Sequence, residues 1–243
     1  MLNALTDVYS VFWLDVRNLR RHWRSILATS LIQPILYLVA FGYGLGAGVS
    51  IDGVSYLSFV IPGIVALTAF STSYSGASAK LQVDRYFYKS FDELLMSPVS
   101  LHSIVIGKAL VGVLRGLMSS LSILGVGYAL SYYAQSPLTV TPLFLAVLFT
   151  TCFVFALLGV LVALVINSHQ GMSTFSNLVI LPMTFLCGTF FALSQLPDVA
   201  KAVLYALPLT HASQCLRAAA LEQAFPWLSL VALCGFGVAF FAG

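Results

Sequence analysis

Gly116 to Pro197 reads GLMSSLSILGVGYALSYYAQSPLTVTPLFLAVLFTTCFVFALLGVLVALVINSHQGMSTFSNLVILPMTFLCGTFFALSQLP, 82 residues without an Asp, Glu, Lys or Arg. A helix crosses the hydrocarbon core of a bilayer with about 20 apolar residues, so this run holds about three crossings. Two polar breaks divide it, Ser131–Thr141 (SYYAQSPLTVT) and Asn167–Gly171 (NSHQG). Further charge-free runs flank it: Ser25–Ile51 and Gly53–Ala79, 27 residues each, and Gln223–Gly243, 21 residues. Spans are therefore expected at roughly 26–46, 57–78, 104–130, 142–166, 172–192 and 226–243. The segment 196–225, broken by Pro197 and Pro208 and followed by Pro226, is left over.

Composition agrees with this count. The chain has 243 residues, 60% hydrophobic and 8% charged, against about 25% charged in an average soluble domain. That excludes an ordinary globular enzyme, whose surface needs more charge, and a disordered chain, which is poor in apolar residues. The expected class is an all-α polytopic membrane protein, one domain over 1–243. Cys152, Cys187, Cys215 and Cys234 are scattered with no metal-ligand or disulfide spacing.

Orientation follows from the cations near the span ends. Arg17, Arg20, Arg21 and Arg24 precede the first span, and Lys80, Arg85, Lys89 and Lys108 surround the second connection. The other side carries only Lys201 and Arg217. Both termini are expected in the cytoplasm. Before residue 25, Leu2, Leu5, Val8, Phe12, Val16 and Leu19 recur at helical spacing with polar residues between them. Residues 1–24 thus form an amphipathic interface helix, with its arginines at anionic lipid headgroups. It reads either as a topology anchor or as a moving part that touches a cytoplasmic partner.

No site for intramembrane catalysis is visible. His22, His102, His169 and His211 fall on separate segments, and no P-loop sequence is present. Catalytic, cofactor and metal residues are accordingly not assigned. Gly42–Gly48 and Gly112–Gly116 are small-residue faces, read as helix packing ahead of a subunit interface. Arg115 stands inside the third span with no acid near it in sequence, and snorkelling towards the headgroups is the simplest account. Aromatic and small polar residues on the spans, Tyr37, Tyr74, Phe149, Phe175 and Asn177, are candidates to line a pathway.

The second connection is the most informative. Phe87, Phe91, Leu94 and Leu95 share one helical face, Ser90 and Glu93 have capping-box spacing, and Pro98 ends the helix. A short cytoplasmic helix with an aromatic face suits docking onto a soluble partner, or lying at the interface. From here the chain resembles the type-2 ABC transporter permeases. The resemblance rests on Phe59-Val-Ile-Pro-Gly63, on Glu93-Leu-Leu-Met-Ser-Pro-Val-Ser100, and on Leu181-Pro-Met-Thr-Phe-Leu-Cys-Gly-Thr-Phe-Phe. It continues through Leu204-Tyr-Ala-Leu-Pro-Leu-Thr-His211 and Leu216-Arg217. It is strongest towards the branch of bacterial drug, lipo-oligosaccharide and polysaccharide exporters. The chain departs from the family pattern with Ala206-Leu207 where Asn-Pro is common and with His211 where Tyr is common.

The resemblance implies six transmembrane helices, a cytoplasmic coupling helix and an extracytoplasmic re-entrant helical hairpin before the last span. It implies a bacterial inner-membrane export permease, paired with a second copy or a homologue, and a separate ATPase subunit that holds ATP and Mg. The contact residues expected for that ATPase are Arg17, Arg21, Arg24, Asp84, Phe87, Phe91, Asp92, Glu93, Leu94, Leu95 and Pro98. Asp84, Asp92 and Glu93 are expected to pair with basic groups on its rim. Pro197, Pro208, His211, Arg217 and Glu222 mark the re-entrant exit segment. The alternatives are an ATPase-independent secondary transporter or channel, and a membrane anchor without transport.

Overall fold

The structure is a computed structural model that describes residues 2–45, 50–51, 54–133, 138–191 and 197–243. Asp52, the middle of the Ser131–Thr141 break and the Leu196 start of the re-entrant segment lie outside the described residues. Those described are almost wholly helical. The exception is a two-residue strand pair, Ser50–Ile51 against Val54–Ser55, antiparallel with Ser50 opposite Ser55.

The first helix corrects an expectation. Interface helix and first span are not separate, because α1 runs unbroken from Leu2 to Tyr37, 36 residues, and continues in wider π turns over Leu38–Leu45. Nothing between Trp23 and Ile26 can stop a helix, since neither glycine nor proline occurs there. The hydroxyls of Thr29 and Ser30 bond back to the carbonyls of Ser25 and Ile26, which absorbs their polarity inside the apolar stretch.

The other long helices are α2 (Tyr56–Tyr86), α4 (Leu101–Tyr133) and α5 (Pro142–Val165), with the short α3 (Ser90–Met96) between α2 and α4. Thr141 caps α5 by accepting the Phe144 N–H, with Pro142 in its first turn. Among the described residues, four helices are long and apolar enough to cross a membrane: Leu19–Gly42, Tyr56–Tyr86, Leu101–Tyr132 and Pro142–Val165. The remaining two expected spans are shorter. One is the chain of α6 (His169–Phe175), a π turn over Ser176–Ile180 and α7 (Leu181–Leu186). It ends before 192 because Gly188 takes a left-handed φ of 72°. The other is α10 (Trp227–Ala242), 16 residues or about 24 Å.

α2 is the hub. Phe70 is fully buried and meets Phe155 of α5 edge-on at 4.6 Å between ring centroids. The helices approach closely because glycines line the contact. A Cβ on Gly112 would stand 2.7 Å from the Ser73 carbonyl oxygen, and one on Gly159 would stand 2.5 Å from that of Tyr74. The Gly112–Gly116 face is thus used inside the chain, where α4 lies against α2.

The leftover segment forms two short helices, α8 (Asp198–Tyr205) and α9 (Pro208–Ala220). Pro197 precedes α8, and Pro208 occupies the first turn of α9, where its missing N–H costs nothing. Glu222, at φ 53°, closes α9: the Gln223 N–H reaches back to the Ala218 carbonyl. α9 is almost wholly buried against α2, α5 and α10.

Candidate functional site

At the end of the bundle where α2 leads into α3, the structure gathers most of the chain's charge. Lys108 Nζ lies 2.8 Å from Asp15 and 2.6 Å from Asp84, while Lys80 Nζ lies 3.3 Å and 2.6 Å from the same two carboxylates. Asp84 is only 2% exposed. This corrects its expected role, since a carboxylate enclosed by two lysines of its own chain has nothing left for a partner's rim. Lys108 likewise serves an internal ion pair. The sequence reading missed Asp15, though a signal was present: it stands four residues from both Val11 and Leu19, which are buried on the same helical face.

α3 itself begins differently from expectation. The chain turns tightly after Tyr88, Lys89 takes a left-handed φ of 51°, and its carbonyl receives the Asp92 N–H. Ser90 is then already inside the helix, so the capping box with Glu93 is not made. Ser97 ends the helix with its hydroxyl on the Leu94 carbonyl, just before the exposed Pro98.

The aromatic face divides in two. Phe91 packs on the bundle under the Arg85 guanidinium, 6.0 Å from its ring centroid, and Leu94 is half-buried. Phe87 is 81% exposed and Met96 88%, with Tyr88 and Leu95 also open. Asp92, Glu93, Arg17, Arg21 and Arg24 are exposed at this end. Arg85 also donates to the carbonyls of Ala163 and Leu164 and to the Asn167 side chain, which caps the negative end of α5.

A second feature lies along α1, α2 and the π turn after α6. A groove of about 400 Å³ is lined by Thr29, Gln33, Thr72, Tyr74 and Ser176 among others, with hydroxyl and carboxamide groups and no formal charge. Tyr74 and Ser176 face each other across it, 3.5 Å apart. Gln33 donates to the Tyr37 hydroxyl at 2.7 Å. Phe175 is half-buried and Asn177 exposed, each beside Ser176 in sequence. Phe149 does not join them. It stacks on Phe153 of α5, which lines a separate apolar groove shared with α10.

The third feature is Arg217 on α9, 7% exposed and with no acid in contact among the described residues. Its guanidinium donates to the carbonyls of Phe59 (3.2 Å), Gly188 (2.9 Å) and Thr189 (3.4 Å) and lies 3.7 Å from the Phe59 ring centroid. Ser213, one turn earlier, donates to the Cys187 carbonyl at 3.0 Å. Two side chains of α9 thus satisfy three successive carbonyls where the helical path after α6 breaks. Such backbone is tolerated at membrane depth only when protein covers it. His211 stays within the hairpin, its Nε2 2.9 Å from the Tyr205 carbonyl oxygen.

The sequence is also similar to known proteins. The chain is 31% identical over 212 residues to Nodulation protein J of Bradyrhizobium diazoefficiens, covering 83% of this chain and 78% of that protein. It is 29% identical over 239 residues to Nodulation protein J of Sinorhizobium fredii, covering 93% and 88%. It is 26% identical over 208 residues to the inner membrane transport permease YadH of Escherichia coli, covering 83% and 78%. Residues 6–221, from the amphipathic start of α1 to the end of α9, match the family described as ABC-2 type transporter. The chain belongs to the ABC-2 type transporter permeases.

Proposed function

We propose that this chain is the membrane permease of an ATP-driven bacterial exporter. It crosses the inner membrane six times with both termini in the cytoplasm, works with a second permease copy or a homologue, and is driven by a separate ATPase that binds ATP and Mg. Its cargo is a drug, a lipid-linked molecule or a glycan. The uncharged polar groove beside Tyr74 and Ser176 is the stretch of pathway that this chain contributes. α8 and α9 fold back into the outer leaflet near the exit.

The observation that carries the reading is the tip formed by Phe87, Tyr88, Leu95 and Met96. These large apolar side chains stand in the open at the charged end of the bundle. A tip of this kind needs an apolar cleft to enter, and each side chain seated contributes about 1.5–3 kcal/mol before the costs of association. Phe91 and Leu94 support the helix from behind, so the docking surface is its outer face. The variant F87D/L95D is expected to insert normally but to lose the co-expressed ATPase subunit in a pull-down from detergent. Retention of the ATPase at the parent level would refute the docking role.

Orientation is tested separately. In a background where the exposed Cys234 is replaced by alanine, Tyr88→Cys is expected to react with an impermeant maleimide only in inverted membrane vesicles. Labelling in intact spheroplasts would reverse the topology.

A further inference from the structure

A buried ion pair is a poor stability device, since apolar groups of similar volume often serve as well or better. Asp15, Lys80, Asp84 and Lys108 do supply a connection. Each lysine touches one carboxylate from α1 and one from α2, and Lys108 brings in α4. Beside the quartet lies a cavity of about 320 Å³, walled by Val11 and Leu14 of α1 and by Ser90, Glu93 and Leu94 of α3. α3 has no fully buried residue of its own. Its half-buried Phe91 packs against the core beside Arg85, so its seat is the end of α2, and α1 faces it across this cavity.

We propose that the quartet is a positioning element that joins the amphipathic half of α1 to the seat of α3, so that the two move as one body. Its consequence for transport rests on the reading of α3 as the coupling helix. A motion delivered at α3 then reaches α1, and with it the wall of the polar groove at Thr29 and Gln33, through two shared cations and no flexible linker.

Two double variants separate this from simple charge balance, because each removes one acid and one lysine. D15N/K80M leaves Asp84 with Lys108 and takes the charge of α1 out of the quartet. α1 is then held to α4 by packing such as Val11 on Gly107 and a neutral carboxamide contact at most. D84N/K80M leaves Asp15 with Lys108 and keeps α1 tied to α4. Spin labels at Tyr9→Cys and Asp92→Cys, in full-length permease without Cys234 in lipid nanodiscs, report the distance from α1 to α3 by double electron–electron resonance. The parent and D84N/K80M are expected to share one narrow distribution, and D15N/K80M to shift or spread by about 5 Å, a helical turn. Identical distributions for the two doubles would overturn the proposal. If D15N/K80M does not insert, Asp15→Asn against Asp15→Glu makes the same comparison, with only the glutamate expected to keep the parent distance. ATP hydrolysis by the complex with its ATPase is the second readout, expected about tenfold lower in D15N/K80M than in D84N/K80M. A distance that responds while hydrolysis does not would leave the tie standing and refute the coupling role of α3.

Discussion

Arg217→Met should leave little folded permease in the membrane. Methionine fills much of the same space but donates nothing, so the carbonyls of Phe59, Gly188 and Thr189 lose this donor in an apolar setting. The Phe59 carbonyl keeps its place in the α2 ladder, but the Gly188 and Thr189 carbonyls lie outside any helix. Each buried acceptor left unmet costs about 1–3 kcal/mol, and the contact with the Phe59 ring adds about 0.5–2 kcal/mol. A loss on the order of 5 kcal/mol approaches the whole stability of many domains and corresponds to a melting shift of about 10–20 °C. Arg217→Lys should fall between, because a single ammonium cannot present the planar fork that serves Phe59 and Gly188 together. Thermal denaturation followed by size-exclusion chromatography in detergent measures both variants. A methionine variant that melts with the parent would mean that these carbonyls have other partners.

The second large effect is expected at Lys108→Met. The parent quartet is formally neutral, and removing one lysine leaves Asp15 and Asp84 sharing Lys80 in a buried place. Breaking a buried pair from one side costs about 3–5 kcal/mol, most of it from the uncompensated charge. Neutrality is recovered in Lys108→Met with Asp84→Asn, which should regain most of the lost melting temperature. By contrast, Lys201→Ala should shift melting little, since its pair with Asp198 is exposed and worth about 0–1 kcal/mol. If the double variant is no more stable than Lys108→Met alone, charge balance is not what holds this site.

Much of the architecture was legible because the relevant forces act locally. Lipid tolerates no unpaired backbone and little charge, so charge-free runs separate the crossings before any packing is known. Thr141 and Ser168 lie in the two polar breaks of the long charge-free run, and each caps the helix that follows by accepting the N–H three residues on. Ser90 had the same local signature and failed, because the chain turns through a left-handed Lys89 that no pattern of apolar residues announces. The amphipathic stretch before residue 25 was rightly helical but wrongly separated from the first span: a change of solvent from interface to lipid need not break a helix.

By itself, the sequence determined the all-helical membrane class, the short helix after α2, and the family. Only the tertiary structure decided which charges meet. Asp15 and Lys108 are 93 residues apart, and Arg217 and Phe59 are 158 apart. Periodicity gives the face that a residue occupies on its own helix. It does not give the rotation and depth at which that helix docks on another, because these follow from close packing, such as Gly112 against Ser73 and Gly159 against Tyr74. For that reason Asp84, which looked from its neighbours like a loop carboxylate open to a partner, belongs to the interior of the protein.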